Sequence, residues 1–296
     1  MKDFTIVIAT AIRPTLEDTL NSIENSVLLP NEVIISIPSG RELFFNKAFN
    51  FKIKVISKGE GQVAQRKEGF KGVKTTYCIQ MDDDIIFDKY FLKLFVERFM
   101  KLPFNSVLAP MNSINNETLS VLVSPKPFFA WLLYYILDSR LQTPYGIITK
   151  AGIPVGVKPF YDKSKESSIV KSQWINGCCA IHNSANLITN YEYPFKGKAY
   201  GEDIIQSQIL REKKITLFVD RSLRISLKED ISKLNILCNL YIFFKEKNTA
   251  YRAISSFKKV QSNYIRYILF AFFFVISKIV NSLENLIKNL IKFKNN

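Results

Sequence analysis

The chain has 296 residues, 47% of them hydrophobic, so it can form one large domain or one domain with an appendage. The formal charge of +15 is concentrated near the C-terminus, because residues 228–296 include 12 basic and 4 acidic residues, a net of +8. Four cysteines without a CxxC spacing, one histidine and an N-terminus unlike a signal peptide argue against zinc binding and disulfides, and they predict a reduced, cytoplasmic protein.

The first part of the chain alternates β-branched runs with amphipathic segments. Residues 4–9 and 32–37 are typical of buried strands, and the helix predicted between them begins at Pro14 and presents an apolar face that extends to Val27. A third strand is expected at residues 52–56. This β-α-β order predicts an α/β fold with a parallel sheet, whose ligands bind at the carboxyl ends of the strands.

A glycine turn after the third strand leads into another predicted helix. Gly59 and Gly61 precede this helix, and Arg66 lies about one turn inside it. A helix N-terminus of this kind favours phosphate, although glycine before a helix is a weak signal when it is taken alone.

Three consecutive carboxylates, Asp82, Asp83 and Asp84, follow the apolar residues 77–79 of a predicted fourth strand. Each carboxylate repels its neighbours and loses water beside apolar sequence, and a divalent cation would relieve much of that cost. Oxygen ligands suit Mg²⁺ or Mn²⁺, which in turn bind substrate phosphates. A solvated acidic turn explains an isolated triplet equally well. The metal–phosphate interpretation is favoured because the triplet and Arg66 converge on one edge of the predicted sheet.

These segments together resemble the ordered motifs of family 2 glycosyltransferases of the GT-A fold. The matching segments are Thr10-x-x-Arg13-Pro14, Glu32-Val33-Ile34-Ile35, Gly61-x-x-x-x-Arg66 and Met81-Asp82-Asp83-Asp84. The resemblance implies an α/β, GT-A fold with a mixed, mostly parallel central sheet flanked by helices and a helical C-terminal appendage.

The resemblance also implies a site for a nucleotide-diphosphate sugar donor. The residues that would contact the nucleotide or its diphosphate are Thr10, Ala11, Arg13, Pro38, Arg66, Asp82 and Asp83. In the same way, Asp82 and Asp84 would hold Mn²⁺ or Mg²⁺. The second strand of the family often ends in an aspartate that contacts the nucleotide, and this sequence departs from the pattern with Pro38-Ser39-Gly40.

The middle of the chain carries weaker signals. An aromatic-rich helix is predicted at residues 127–137, either packed in the core or facing an acceptor or a membrane. Residues 142–172 are predicted to form irregular loops near an acceptor site. Residues 174–182 resemble the family's glycine-containing strand, which lies against the donor sugar. Their two adjacent cysteines are interpreted as small packing residues and His182 as a structural residue.

Gly201, Glu202 and Asp203 stand at the start of a predicted helix, about 120 residues after the first acidic motif. Acidic residues at a helix start complement the helix dipole, which alone would explain one of them. The sequence Gly-Glu-Asp also resembles the family's catalytic motif, in which an Asp acts as general base. The chemistry needs such a group, because an acceptor hydroxyl must lose its proton as it attacks. The resemblance implies Asp203 as the base, with Glu202 contacting the acceptor or serving as the alternative base.

Many relatives carry a histidine ligand after the next strand, which is predicted here at residues 215–219, but residues 224–228 contain none. Either Arg224 or Lys228 would contact the diphosphate directly, or the metal would have one ligand fewer. A surface position for both side chains is an equal alternative.

The pattern divides the chain into a catalytic domain at residues 1–228 and a basic, helical region at residues 229–296. An apolar stripe in this region consists of Ile279, Leu283, Leu286, Ile287, Leu290 and Ile291. A basic amphipathic helix suits attachment to the inner leaflet of a membrane. Packing on the catalytic domain or on a second subunit is the alternative.

The sequence therefore predicts an inverting, metal-dependent glycosyltransferase of the bacterial cell-surface polysaccharide type. It would move a sugar from its donor to a hydroxyl of a glycan or lipid-linked oligosaccharide, peripherally on the inner face of the cytoplasmic membrane. Sugar nucleotidyl transfer is less favoured, because the Gly-rich N-terminal loop expected for it is absent. A catalytically inactive membrane-surface or polyanion-binding scaffold is the non-enzyme alternative, and no nucleic-acid-binding motif is present.

Overall fold

A computed structural model describes residues 3–112, 127–139, 145–158, 167–194, 201–228, 245, 248–257, 262–273 and 276. In chain order its elements are β1 (Phe4–Ala9), α1 (Thr15–Glu24), β2 (Glu32–Ile37), β3 (Lys52–Ser57), α2 (Gln62–Lys71), β4 (Tyr77–Asp82), β5 (Ile85–Ile86), α3 (Phe91–Phe99), β6 (Ser106–Asn112), α4 (Pro127–Asp138), β7 (Ile147–Ile148), β8 (Pro154–Val155), β9 (Ile169–Ser172), β10 (Cys179–Asn183), α5 (Glu202–Glu212) and β11 (Thr216–Leu227). Two further helical segments are α6 (248–255) and α7 (264–273).

The central sheet has nine strands in the order β3-β2-β1-β4-β10-β6-β11-β5, with β9 paired to β11. β3, β2, β1, β4, β6 and β11 run in one direction, whereas β10, β5 and β9 run against them. The predicted α/β architecture with a mixed, mostly parallel sheet is confirmed. The register pairs Ala9 with both Ser36 and Asp82, so β1, β2 and β4 end level with one another.

Helices cover both faces of the first strands, which explains why every residue of β1 is buried. Ile6 and Ile8 belong to a core that also contains Leu20 of α1 and Phe95 of α3. Val7, between them, points to the other face and packs with residues of α2. The alternation of side chains along β1 therefore places α1 and α3 on one face and α2 on the other.

The described C-terminal helices pack on the body of the protein. Ala250 and Ile254 of α6 share a core cluster with Ile205 of α5. In α7, Phe270 and Phe273 pack against a cluster built on α4. These described residues therefore pack on the catalytic domain, which was the alternative to membrane attachment. The stripe at residues 279–291 lies outside the described residues.

Three local predictions were wrong in part. Helix α1 ends at Glu24, and Val27 is 58% exposed because the chain has already left the helix and its N–H bonds to the carbonyl of Lys89 at 2.9 Å. The segment predicted as irregular contains β9, which satisfies its backbone by pairing with β11. The predicted glycine-containing strand begins only at Cys179.

The aromatic helix predicted at 127–137 exists as α4, and from residue 132 onward its side chains are described. Leu133 and Leu137 are buried and Tyr135 is 48% exposed, so this part of the helix is packed along one face. Within the described ranges, no helix combines the length and apolarity needed to cross a bilayer.

Candidate active site

The level ends of β1, β2 and β4 bring the predicted donor residues to one edge of the sheet. The N–H of Thr10 bonds to the carbonyl of Ser36 at 3.0 Å, and its hydroxyl donates to the carboxylate of Asp83. Gln65 of α2 links the ends of β1 and β2, because its side-chain amide donates to the carbonyls of Thr10 at 2.8 Å and Ser36 at 3.1 Å. The sequence interpretation assigned no role to Gln65.

Asp83, the central carboxylate of the triplet, is bound by side chains of the protein itself. It is 1% exposed and pairs with the guanidinium of Arg13, whose Nε lies 3.2 Å from Asp83 Oδ2. Arg13 also reaches Asp84, with 3.1 Å between Nη2 and Oδ2. Burial would lower the pKa of Arg13, but the hydrogen bond and charge of Asp83 raise it above its ordinary value. Asp83 therefore positions Arg13 at the strand edge.

Arg66 joins the two acidic motifs. It is 3% exposed, its Nη2 lies 2.8 Å from Asp82 Oδ1, and its Nη1 pairs with Glu202. Burial would lower the pKa of Arg66, but the charges of Glu202 and Asp82 hold it above its ordinary value. Gln62, one turn earlier in α2, donates to the same oxygen of Asp82 at 3.1 Å. A single guanidinium thus connects residues that are 16 and 136 positions away from it in the chain.

Glu202 and Asp203 are the first two residues of α5, and their side chains differ in exposure. Glu202 is 7% exposed and held by Arg66, whereas Asp203 is partly exposed and accepts a hydrogen bond from the N–H of Ile204 at 2.9 Å. Gly177 lies against both residues, and a Cβ at that position would be 3.3 Å from Glu202 Oε1 and from Asp203 Cβ. The glycine predicted to lie against the donor sugar therefore also lies against the acidic pair.

A buried amide pair beneath the site was missed by sequence reasoning. Gln80 is fully buried in β4, and its side chain donates to the carbonyl of Gly177 at 2.6 Å. Gln206 of α5 donates to Gln80 at 2.8 Å. A glutamine inside an otherwise apolar strand was the available signal, because a buried amide needs partners.

A cavity of about 880 Å³ opens beside the ends of β1 and β2. Its lining residues are Ala11, Ile12, Pro38, Ser39, Gly40, Arg41, Glu42 and Glu60. Its size falls in the range of small-molecule sites. Ile12 has a φ of 66°, which is unusual for a β-branched residue, and its N–H bonds to the hydroxyl of Thr10 at 2.9 Å. Arg41, Glu42 and Glu60 are polar groups of this cavity that the sequence interpretation did not include.

Two carboxylates of the triplet, those of Asp82 and Asp84, supply the oxygen ligands that a divalent cation prefers. Oδ1 of Asp84 is buried without a hydrogen-bond partner among the described residues. Burial raises the pKa of Asp82 and Asp84, and neighbouring negative charges raise it further despite the two arginines. In the part of the chain that is described, no three His, Cys, Asp or Glu side chains converge on a common metal position. Two carboxylates completed by substrate oxygens match the way Mg²⁺ is usually bound.

Arg224 and Lys228, the two candidates for a diphosphate contact, and His182, interpreted as structural, lie in different surroundings. Arg224 is exposed on β11. Lys228 pairs through its side chain with Asp18, while its N–H bonds to the carbonyl of Asp84 at 2.9 Å. His182 is 1% exposed in β10, and burial, with the charge of Arg66, lowers its pKa to about 3.

Solved structures share the fold of this chain. A structure of GalNAc-T7 with UDP, GalNAc and Mn²⁺ superposes with a TM-score of 0.51 at 13% identity, covering 77% of this chain and 44% of that one. The mannosyltransferase PcManGT from Pyrobaculum calidifontis, with GDP-Man and Mn²⁺, gives 0.49 at 9% identity, covering 83% and 62%. Glucosyl-3-phosphoglycerate synthase from Mycobacterium tuberculosis gives 0.48 at 11%, covering 86% and 80%. The chain thus spans less than half the length of the GalNAc-T7 chain.

The fold is the GT-A fold of glycosyltransferases. The model of glycosyl transferase family 2 matches residues 5–152, which is half of the chain. This protein belongs to glycosyltransferase family 2. No curated protein matches the sequence significantly.

Proposed function

We propose that the protein transfers a sugar from a nucleotide-diphosphate sugar to a hydroxyl of a glycan or lipid-linked oligosaccharide, with inversion at the anomeric carbon. The observation that carries this proposal is the Arg66 junction, which joins Asp82 on the donor side to Glu202 on the acceptor side. A transferase needs both sides within reach of one sugar, and here a single buried side chain holds them together.

On the donor side, Asp82 and Asp84 would hold Mn²⁺ or Mg²⁺. The bound cation would neutralise charge on the departing diphosphate. The structure of GalNAc-T7, which has a similar fold, contains UDP and Mn²⁺. Ala11 and Pro38 line the neighbouring cavity, which would receive the nucleoside. Arg13 pairs with Asp83 and Asp84 of the triplet and would contact the diphosphate.

On the acceptor side, we assign the general base to Asp203. The carboxylate of Glu202 is buried in an ion pair with Arg66, whereas Asp203 is partly exposed and can be reached by an acceptor. Asp203 would take the hydroxyl proton as the acceptor oxygen bonds to the anomeric carbon and the bond to the diphosphate breaks. One displacement of this kind inverts the configuration.

Asp203→Asn tests this assignment because it removes the base and keeps the shape of the side chain. We expect transfer to fall by about 10²–10⁴-fold while binding of the donor nucleotide with Mn²⁺ is unchanged. The measurements are turnover with a panel of nucleotide sugars and calorimetry with the matching nucleoside diphosphate. Glu202→Gln is the companion variant, and a larger loss of turnover for it than for Asp203→Asn would move the base to Glu202.

We also propose a role in bacterial surface polysaccharide synthesis at the inner face of the cytoplasmic membrane. The support is the basic C-terminal region, with a net charge of +8 over residues 228–296. The same charge would suit a catalytically inactive scaffold of this fold. Nucleoside diphosphate binding that depends on Mn²⁺ separates the two, because a scaffold has no need of it.

A further inference from the structure

One face of α7 exposes a row of large apolar side chains. The exposed fractions are Tyr264 51%, Ile265 70%, Ile268 47%, Leu269 48% and Phe272 67%, and Ile276 beyond them is 44% exposed. Ile268, Leu269, Phe272 and Ile276 follow Ile265 by three, four, seven and eleven residues, which places them on one side of a helix. We call this row the α7 outer face.

The opposite face of α7 is already used by the fold. Tyr267 is 5% exposed, and its ring stacks on Tyr251 of α6 with 4.6 Å between centroids. Phe270 and Phe273 pack on the cluster around Leu133. A helix that is apolar on all sides is normally covered on all sides. Packing against the described part of the chain therefore accounts for one face of α7 and leaves the other exposed.

We propose that the α7 outer face docks on the surface of an anionic lipid bilayer. Residues 245–278 include seven basic residues and one acidic residue. A membrane surface that carries negative charge attracts such a segment, and exposed apolar side chains can then enter the boundary between headgroups and acyl chains. A second copy is the less suitable occupant, because it would bring two basic segments of the same kind into contact.

The rim of the outer face has the composition of a membrane-interface element. Tyr135 of α4 is 48% exposed, and the guanidinium carbon of Arg266 lies 5.8 Å from the centre of its ring. Arg266 is fixed there by hydrogen bonds from its Nη1 to the carbonyls of Tyr135 at 2.6 Å and Ile136 at 3.0 Å. Tyrosine and arginine beside an apolar patch are typical of the headgroup level.

Through its inward-packed face, α7 is connected to the acidic pair by way of α6. Tyr251 contacts Tyr267 of α7, and the preceding residue, Ala250, packs on Gly201, where an added Cβ would lie 2.9 Å from the Cβ of Ala250. Gly201 immediately precedes Glu202. A protein docked through α7 would therefore be held at the lipid by a helix that packs, through α6, on the start of α5, which suits a lipid-linked acceptor. This last step rests on the proposed function, whereas the docking itself does not.

The test is co-sedimentation of the full-length protein with phosphatidylcholine vesicles, prepared with and without phosphatidylglycerol. The double variant Ile265→Ser/Phe272→Ser removes two large side chains from the outer face. The matched control is Val27→Ser/Phe104→Ser, because those residues are 58% and 66% exposed elsewhere. We expect binding only to the anionic vesicles, a loss of about tenfold or more for the outer-face variant, and no loss for the control.

Four results would overturn the proposal. The first is equal vesicle binding by both double variants, and the second is no vesicle binding by the unaltered protein. The third is a dimer, seen in light scattering, that only the outer-face variant loses. The fourth is a lower melting temperature for the outer-face variant alone. The third would show a second copy on the face, and the fourth would show that the chain itself covers it. Calorimetry with Mn²⁺ and nucleoside diphosphate in solution, run on the same samples, reports on the proposed function separately.

Discussion

At the scale of single residues, Arg66 is a buried charge whose stability depends on two carboxylates. Its side chain is 4% exposed and lies between two carboxylates, Asp82 and Glu202, which are 20% and 9% exposed. A buried charge without its partner is costly, so the three groups depend on one another. The resemblance to the family implied contact of Arg66 with the donor. That role stays a prediction, and its position adds a structural role that the sequence did not suggest.

Replacing Arg66 by Met should destabilise the protein by about 3–5 kcal/mol, because Asp82 and Glu202 would be left together without a cation. Chemical denaturation in the absence of metal measures this loss. In the Glu202→Gln background the same replacement should cost less, since only one of the two carboxylates then loses its partner. Equal losses in the two backgrounds would show that Arg66 acts through packing alone.

At the scale of elements, the contact of α2 with β1 holds the Arg66 helix against the sheet. Gly69 faces Val7 of β1 and Ser36 of β2 without any space for a side chain. A Cβ there would lie 2.5 Å from Val7 Cγ1 and 2.7 Å from Ser36 Oγ. This close approach keeps α2 near enough to the sheet for the side chain of Gln65 to reach the carbonyls of Thr10 and Ser36.

Gly69→Ala should therefore destabilise the protein by about 1–3 kcal/mol, because the helix must move away from β1. The melting temperature and the denaturation midpoint measure the effect. Gly156→Ala is the matched control, since a Cβ at that position meets no atom within 4 Å, and its effect should stay within about 0.5 kcal/mol. Similar losses for both variants would rule out the contact with β1 as the cause.

At the scale of the whole molecule, the C-terminal helices are part of the folded body as well as carriers of basic charge. Ile254 of α6 is 1% exposed and lies in a cluster with Ile204 and Ile205 of α5, the helix that begins with Glu202. The boundary predicted at residue 228 therefore marks a change in sequence pattern. One hydrophobic core contains residues from both sides of it.

Ile254→Ala should destabilise the catalytic body by about 2–5 kcal/mol, because it leaves a cavity against α5. Ile265→Ala, in the neighbouring α7, is the control: this residue is 70% exposed, so the change should stay within about 0.5 kcal/mol. Unfolding followed by near-ultraviolet circular dichroism compares the two. If Ile254→Ala were as mild as its control, residues 248–257 would not contribute to the core as the structure indicates.

Much of the architecture could be predicted from the sequence, because strands and helices of a buried α/β sheet carry their own periodicity. The apolar runs at β1 and β2 and the glycine before α2 are local signals. The acidic residues Asp82–Asp84 and Glu202–Asp203 also stood out, since clustered charge beside apolar sequence is unusual. Edge pairing carries a weaker local signal, which is why β9 was predicted as a loop.

The sequence by itself determined the fold class and the identity of the two acidic motifs. Only the tertiary structure decided how they are joined: that Asp83 is bound by Arg13 and Thr10, and that Arg66 connects Asp82 to Glu202. It likewise decided that one face of α7 packs inward and leaves the other exposed. The physical reason is that local periodicity reports which side of an element is buried. It does not report which distant residue becomes its partner, because that depends on the path of the whole chain.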